Sequence, residues 1–161
     1  MKQLSLVFLG IFKILHIVFF LFSKDKNITL LDLKRYYSKS KSNVFNLIYA
    51  LTFIPEFRAL FYYRIGKVKY LIQWLHPVFL NLYFYTPKIG AGLKIQHGFS
   101  TVIAAKSIGK NCWINQQVTI GYTNDNDCPT IGDNVIINAG AIVIGNVIIG
   151  DNVIIGAGTV V

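Results

Sequence analysis

The sequence predicts a mainly β fold: a parallel β-helix of about four triangular coils, preceded by an apolar, basic α-helical N-terminal region. Two observations predict it. From residue 89 onward Ile or Val returns at six-residue intervals, a period that fits neither a helix nor an alternating strand. Before that point the composition is different in kind. Residues 1–88 carry 13 Lys/Arg against 3 Asp/Glu, a net +10, whereas residues 89–161 carry 3 against 4. The division predicts a membrane-associating helical region over 1–88 and a repeat domain over 89–161.

The first segment, "LSLVFLGIFKILHIVFFLF" (4–22), has nearly the length of a bilayer span. Lys13 sits in its middle, where a charge costs about 2.5–3.5 kcal/mol on insertion scales. Lys13 and His16 are three apart and share one helical face, opposite Leu and Phe. An interfacial or partly inserted helix is therefore expected, with a true span as the alternative. No small-residue cleavage site follows in "SKDK", so a secretory signal is not expected. Residues 24–43 are polar and basic and read as a linker with a short helix. Residues 44–53 and 57–85 read as amphipathic helices punctuated by Pro55, Pro77 and Pro87. Cations alternate with aromatics in 56–85, as in single-strand nucleic-acid grooves. The accompanying aliphatic runs exclude nucleic acid and point to an anionic membrane surface. His16 and His76 lie in these apolar stretches and are expected to pack there.

In the second half, steps of six from Ile89 reach Ile95, and after one extra residue beside His97 they reach Val102, Ile108, Ile114 and Ile120. A longer interruption leads to Ile131, Ile137, Val143, Ile149, Ile155 and Val161. Four residues after most marks stands a medium or small residue, such as Leu93, Cys112, Val118, Val135 or Ala141; Phe99 and Lys106 depart from this pattern. Gly, Asn and Asp fill the rest, as in "IGDNVI", and these residues tolerate tight turns. Such a chain runs straight, turns a corner and runs straight again; three sides make one coil, and stacked coils bury the marked aliphatics. Each burial is worth about 1.5–3 kcal/mol. Separate strands of a sandwich would not hold this phase for so long. The two cysteines show no metal-ligand spacing: Cys112 falls in an interior slot and Cys128 in a loop. No metal and no disulfide are expected, and a reducing compartment is.

The run from Lys88 to Val161 resembles the hexapeptide-repeat acyltransferases, which implies a left-handed coil. Within them, "IQHGFSTVI" resembles the catalytic-histidine coil of the serine acetyltransferase branch, and the run from "VTIGYTNDNDCPTIGD" onward resembles its acetyl-CoA coils. The His97 coil and the "CPTIGD" loop look most like enzymes acetylating exopolysaccharides of the colanic-acid type. The chain also departs from serine-specific members. They carry Asp before the histidine, Arg-His in the long loop and an upstream Asp that orients the histidine. Here those positions hold Gln96, Asp127-Cys128 and Leu82. Relatives also continue beyond the position of Val161 into a tail over the coenzyme.

The resemblance implies acetyl-CoA as co-substrate and His97 as general base. It places Gly121, Ala139 and Ala157 along the coenzyme and Gln116, Asp125, Asp127 and Cys128 near the acceptor, in a homotrimer with composite sites. The expected activity is O-acetylation of a surface-polysaccharide sugar or its lipid-linked precursor at the cytoplasmic face of the inner (plasma) membrane. Serine O-acetylation in the cytoplasm and a non-catalytic membrane-bound scaffold are the alternatives.

Overall fold

The computed structural model describes residues 13–37, 44–78, 80–125 and 127–161. The chain forms two compact units that divide between Phe79 and Leu80. The change of charge had placed that boundary at 88/89.

The first unit contains four α-helices: α1 (Ile14–Phe22), α2 (Lys26–Tyr36), α3 (Val44–Phe53) and α4 (Pro55–Ile65). Two 3-10 turns follow, Gly66–Leu71 and Gln73–Leu75. Residues 4–12 of the first apolar segment lie outside the described residues. The core gathers Phe20, Leu33, Leu47, Ala50, Leu51, Phe57, Phe61, Tyr62 and Ile72. The linker expected over 24–43 is in part a packed helix. Leu33 and Asp32 of α2 are fully buried, and Asp32 accepts the Arg64 Nε–H at 2.8 Å. The helix expected over 57–85 ends at Ile65, because Gly66 takes φ 64° and reverses the backbone. At the α3–α4 break the Arg58 guanidinium donates to the Leu51 and Thr52 carbonyls at 2.8 and 3.1 Å. It thereby satisfies acceptors that the end of α3 leaves without intrahelical partners.

The second unit is a parallel β-helix of about four coils. Its eleven short strands are β1 (Leu82–Phe84), β2 (Lys94–Ile95), β3 (Thr101–Ile103), β4 (Ser107–Ile108), β5 (Trp113–Ile114), β6 (Thr119–Gly121), β7 (Thr130–Ile131), β8 (Ile136–Ile137), β9 (Ile142–Ile144), β10 (Ile148–Ile149) and β11 (Ile154–Ile155). One face of the prism stacks β1-β3-β6-β9, a second β4-β7-β10 and a third β2-β5-β8-β11. The marked aliphatics Ile95, Ile114, Ile120, Ile131, Ile137 and Val143 are at most 2% exposed. They form the continuous interior that the six-residue beat demands.

Val102 breaks the rule. It is half-buried on the outer surface, while its neighbours Thr101 and Ile103 are fully buried, and Ile103 stacks on Ile120. The interior therefore steps eight residues from Ile95 to Ile103 and then five to Ile108. Two residues are inserted at the corner after β2 and one is lost at the corner after β3. Sequence alone shows only the net slip of one. Val161, the last mark, is 40% exposed at the open end of the stack.

The corner between the second and third faces explains the repeated "IGDNVI". The Asp133 carboxylate accepts the Lys110 N–H at 2.7 Å, and Asp151 accepts the Asp133 N–H at 2.7 Å. Asn134 donates from its side chain to Asn152 at 3.1 Å, both in the left-handed backbone that Asn tolerates. Gly90 packs so closely that an added Cβ would lie 2.5 Å from the Gly109 carbonyl carbon of the next coil.

Candidate active site

His97 stands at the corner between the third and first faces, just after β2. Gln96 keeps the ladder, donating its N–H to the Ile114 carbonyl at 2.9 Å. His97 then turns into the left-handed region at φ 53°. The same corner carries one left-handed residue per coil, namely Asn81, Ser100, Gln117, Gly140 and Gly158. His97 is an additional one, out of that column, and belongs to the two-residue insertion. Left-handed backbone costs a non-glycine residue about 1–2 kcal/mol, and such strain is often kept at functional sites. The insertion is closed by Phe99 N–H donating to the His97 carbonyl at 2.6 Å and by Ser100 N–H donating to the Leu80 carbonyl at 3.0 Å. The result is an exposed imidazole on a hydrogen-bonded bulge. Leu82, at the position where an orienting carboxylate was sought, is a half-buried β1 residue facing Thr101.

The other predicted residues divide between two edges of the prism. Gln116, Ala139 and Ala157 share the edge of His97. The N–H groups of Gly140 and Gly158 donate to the Gln116 and Ala139 carbonyls at 3.1 and 2.9 Å, stacking these corners. Gly121, Asp125, Asp127 and Cys128 lie on the next edge, between the first and second faces. There β6 leads into a loop before β7, and the pairing of Trp113 with Ile136 shows an offset of 23 residues where Ile136 with Ile154 shows 18. The five additional residues are extruded as that loop. Gly121 is buried, yet an added Cβ would meet nothing within 4 Å of this chain. The coil itself does not demand glycine there, so the clearance is available to something outside it.

The loop is organised by Asp127. One carboxylate oxygen accepts the Thr123 and Asn124 N–H groups at 2.8 and 3.2 Å; the other accepts the Asn124 side-chain amide at 2.8 Å and the Thr123 hydroxyl. These donors, the Thr123 hydroxyl foremost, hold its pKa below the usual carboxylate value. Asp127 therefore spends its acceptors within the loop. Asp125 is the exposed carboxylate and lines an open depression with Tyr122, Thr123 and Asn124. Two exposed aromatics flank these edges: Phe99, whose departure from the hexad the sequence shows, and Tyr122, which the sequence reading does not single out. Phe99 is 44% exposed beside His97, and Tyr122 is 52% exposed at the start of the loop, its phenol pKa raised by neighbouring Cys128. Their signal was an aromatic where the hexad asks for a small or polar residue.

Cys112 is core, its thiol directed at the Gly132 carbonyl 3.2 Å away. Among the described residues no group of three His, Cys, Asp or Glu side chains could hold a metal ion. His16 is fully buried with Nε2 3.0 Å from the Tyr62 hydroxyl, and the His76 Nδ1 contacts the Lys13 ammonium. Burial pushes both imidazoles down to about 4, so both are neutral at pH 7 and serve the helical unit.

Residues 128–161 match the model of the bacterial transferase hexapeptide family (six repeats). A serine acetyltransferase of Staphylococcus aureus is 50% identical over 64 residues, covering 37% of this chain and 30% of that protein. One from Synechococcus elongatus is 36% identical over 109 residues, covering 58% and 44%. The crystal structure of serine acetyltransferase isoform 3 from Entamoeba histolytica, in complex with cysteine, superposes with a TM-score of 0.61 at 32% identity. It covers 83% of this chain and 52% of that one, so the likeness extends into the helical unit. The chain spans less than half the length of these curated relatives. Its coils match the left-handed β-helix of the hexapeptide transferases and are similar to those of the serine acetyltransferases named above.

Proposed function

We propose that the chain is an acetyl-CoA-dependent O-acetyltransferase of the serine acetyltransferase type, with His97 as its general base. The observation that carries this reading is the exposed His97 imidazole in left-handed backbone, on a bulge inserted into a hexapeptide coil. Neutral imidazole takes the proton of an acceptor hydroxyl as that oxygen attacks the thioester carbonyl. Backbone N–H groups at the coil corners stabilise the resulting oxyanion. Its collapse breaks the carbon–sulfur bond, and the imidazolium returns the proton to the CoA thiolate. The products are an acetyl ester and free CoA, with no covalent enzyme intermediate. Ala139 and Ala157 present a small-residue edge above His97 for the pantetheine arm, and Gly121 offers clearance on the next edge. An acceptor reaching both His97 and the 122–128 loop is held between two copies in a homotrimer.

The names of the relatives support serine as the acceptor. A second reading, a neutral sugar hydroxyl, is favoured by the loop. Serine in a cleft needs partners for its carboxylate and its ammonium. Where serine-specific enzymes carry Arg-His, this loop carries Asp127 and Cys128, and its exposed charge is the Asp125 carboxylate. Acetyl-CoA turnover by the full chain, followed by product chromatography, decides between the two acceptors. Efficient turnover of sub-millimolar serine selects the first reading. Sugar acetylation, with serine use gained only in Asp127→Arg/Cys128→His, selects the second. No turnover with either, or full turnover in His97→Ala, removes the assignment.

A further inference from the structure

The helical unit has an apolar core, yet the segment of Lys13 and α1 turns polar side chains inward and most of its apolar ones outward. On α1 the polar residues Lys13 and His16 face inward at 5% and 0% exposure, while Ile14, Leu15, Val18 and Leu21 face outward and Phe22 is 85% exposed. Asp32, Arg58 and Arg64 are likewise buried. A water-facing helix normally shows the opposite arrangement. The exposed apolar surface continues beyond α1. Phe22 and Lys24 line one groove with Ile65 and Val68, which joins the end of α1 to the 3-10 turn Gly66–Leu71. Beyond Val68 come Tyr70, Leu71 and Trp74, exposed by 64, 64 and 71%, with Lys67 and Lys69 interleaved.

We propose that this surface, formed by the end of α1 and residues 66–75, docks on the interfacial zone of an anionic phospholipid bilayer. Two arguments select that occupant. Trp and Tyr interleaved with Lys is the side-chain chemistry of the headgroup level, where an amphipathic ring sits between oil and water. Charge complementarity supplies the second argument. Residues 1–79 contain 12 Lys/Arg and 3 Asp/Glu, so this unit carries all of the chain's net +9. Asp25 is the one carboxylate at the groove. A second copy of this unit would bring a further +9 against it, whereas an anionic leaflet neutralises it. No single helix among the described residues is long and apolar enough to cross a membrane, although α3 followed by Pro55–Leu71 passes by length and composition as a pair bent by 110°. The inference is independent of the acceptor and of the reaction.

The test is flotation of the purified full chain with vesicles of neutral phosphatidylcholine or with about 30% phosphatidylglycerol, over ~0.05–0.5 M salt. Binding should require the anionic lipid and weaken with salt. Lys67→Gln and Lys69→Gln should each lower partitioning about fivefold. Brominated lipid should quench tryptophan emission, with that quenching lost in Trp74→Phe while binding is kept. Circular dichroism confirms that the variants fold. Three outcomes would overturn the proposal: no binding to either vesicle, equal binding to both, or a lipid-free oligomer in which Trp74 is shielded from acrylamide.

Discussion

His97 offers a comparison in which stability and activity should move in opposite directions. At φ 53° the residue occupies left-handed backbone, which costs a side chain with a Cβ about 1–2 kcal/mol and costs glycine almost nothing. Glycine gives back part of that advantage through the larger freedom of its unfolded chain, about 0.5–1 kcal/mol. His97 is exposed, so neither replacement opens a cavity. His97→Gly should therefore be more stable than His97→Ala by about 0.5–1 kcal/mol, a shift of about 2–8 °C in the coil transition. Both variants should lose acetyl transfer by a factor of about 10² or more. Thermal melts of the two variants, recorded beside acetyl-CoA turnover, read both quantities. Equal melting temperatures would refute the claim that the bulge stores strain. Turnover within about threefold of the parent would remove His97 from proton transfer.

The two glycine classes should separate cleanly: Gly109→Ala drives a Cβ into the Gly132 backbone and the Asp133 carboxylate and should prevent folding of the coils. Gly121→Ala should fold normally and raise the KM for acetyl-CoA, and an unchanged KM would deny the coenzyme that clearance. Asp32→Asn leaves Arg64 buried beside a neutral partner and should destabilise the helical unit by about 3–5 kcal/mol; denaturation should show the coil transition unmoved. Because folded His16 titrates near 4, below its ordinary 6.5, unfolded chains bind the extra proton between those values. Helical-unit stability should thus fall by up to about 1.4 kcal/mol per unit as pH drops from 6.5 to 4. Lys13, pushed down to about 8 by burial and by Arg58, should add stability as pH rises from 8 towards 10.5. His76, held near 4 in the same way, adds a slope of its own, so a His16→Gln variant that retains the parent's full acid slope would exclude His16 as a source.

What was legible followed from interior demand. A stacked prism needs a β-branched aliphatic at each inward position, so the beat at Ile114, Ile120, Ile131 and Ile137 reads directly as fold. The misreading at Val102 has the same origin. Val102 and Ile103 are both aliphatic, and only burial tells which one faces in. β1 escaped because "LYF" continues an apolar aromatic run, and its role depends on pairing with Thr101–Ile103 nineteen residues later. The packing of α2 escaped because its anchor is a buried ion pair, Asp32 with Arg64, in a segment of polar composition. The bulge at His97 was visible because it breaks a rhythm. The loop-organising role of Asp127 was not, since it rests on bonds to Thr123 and Asn124 that any exposed Asp could have made or missed.

The three edges of the prism differ in how much change they tolerate, and that difference accounts for where the departures from the repeat lie. At the corner between the second and third faces, Gly90, Gly109 and Gly132 each meet the backbone of the next coil so closely that no Cβ fits. Asp133, Asp151 and the Asn ladder tie successive turns together there. An inserted residue would lift two coils apart and break those contacts at once, and in none of the coils does that corner depart from its length. Although Asn115 and Asn138 still tie successive coils beside the third face, among the described residues the other two corners have no such close glycine approach. One accommodates the His97 bulge and the other the loop before β7, each an extrusion outward that leaves the interior pairs Ile103–Ile120 and Ile120–Val143 in register. One rigid edge fixes the coil spacing. The two permissive edges are then free to depart from the repeat, and the residues proposed for chemistry, His97, Gln116, Gly121 and the loop before β7, all lie on them.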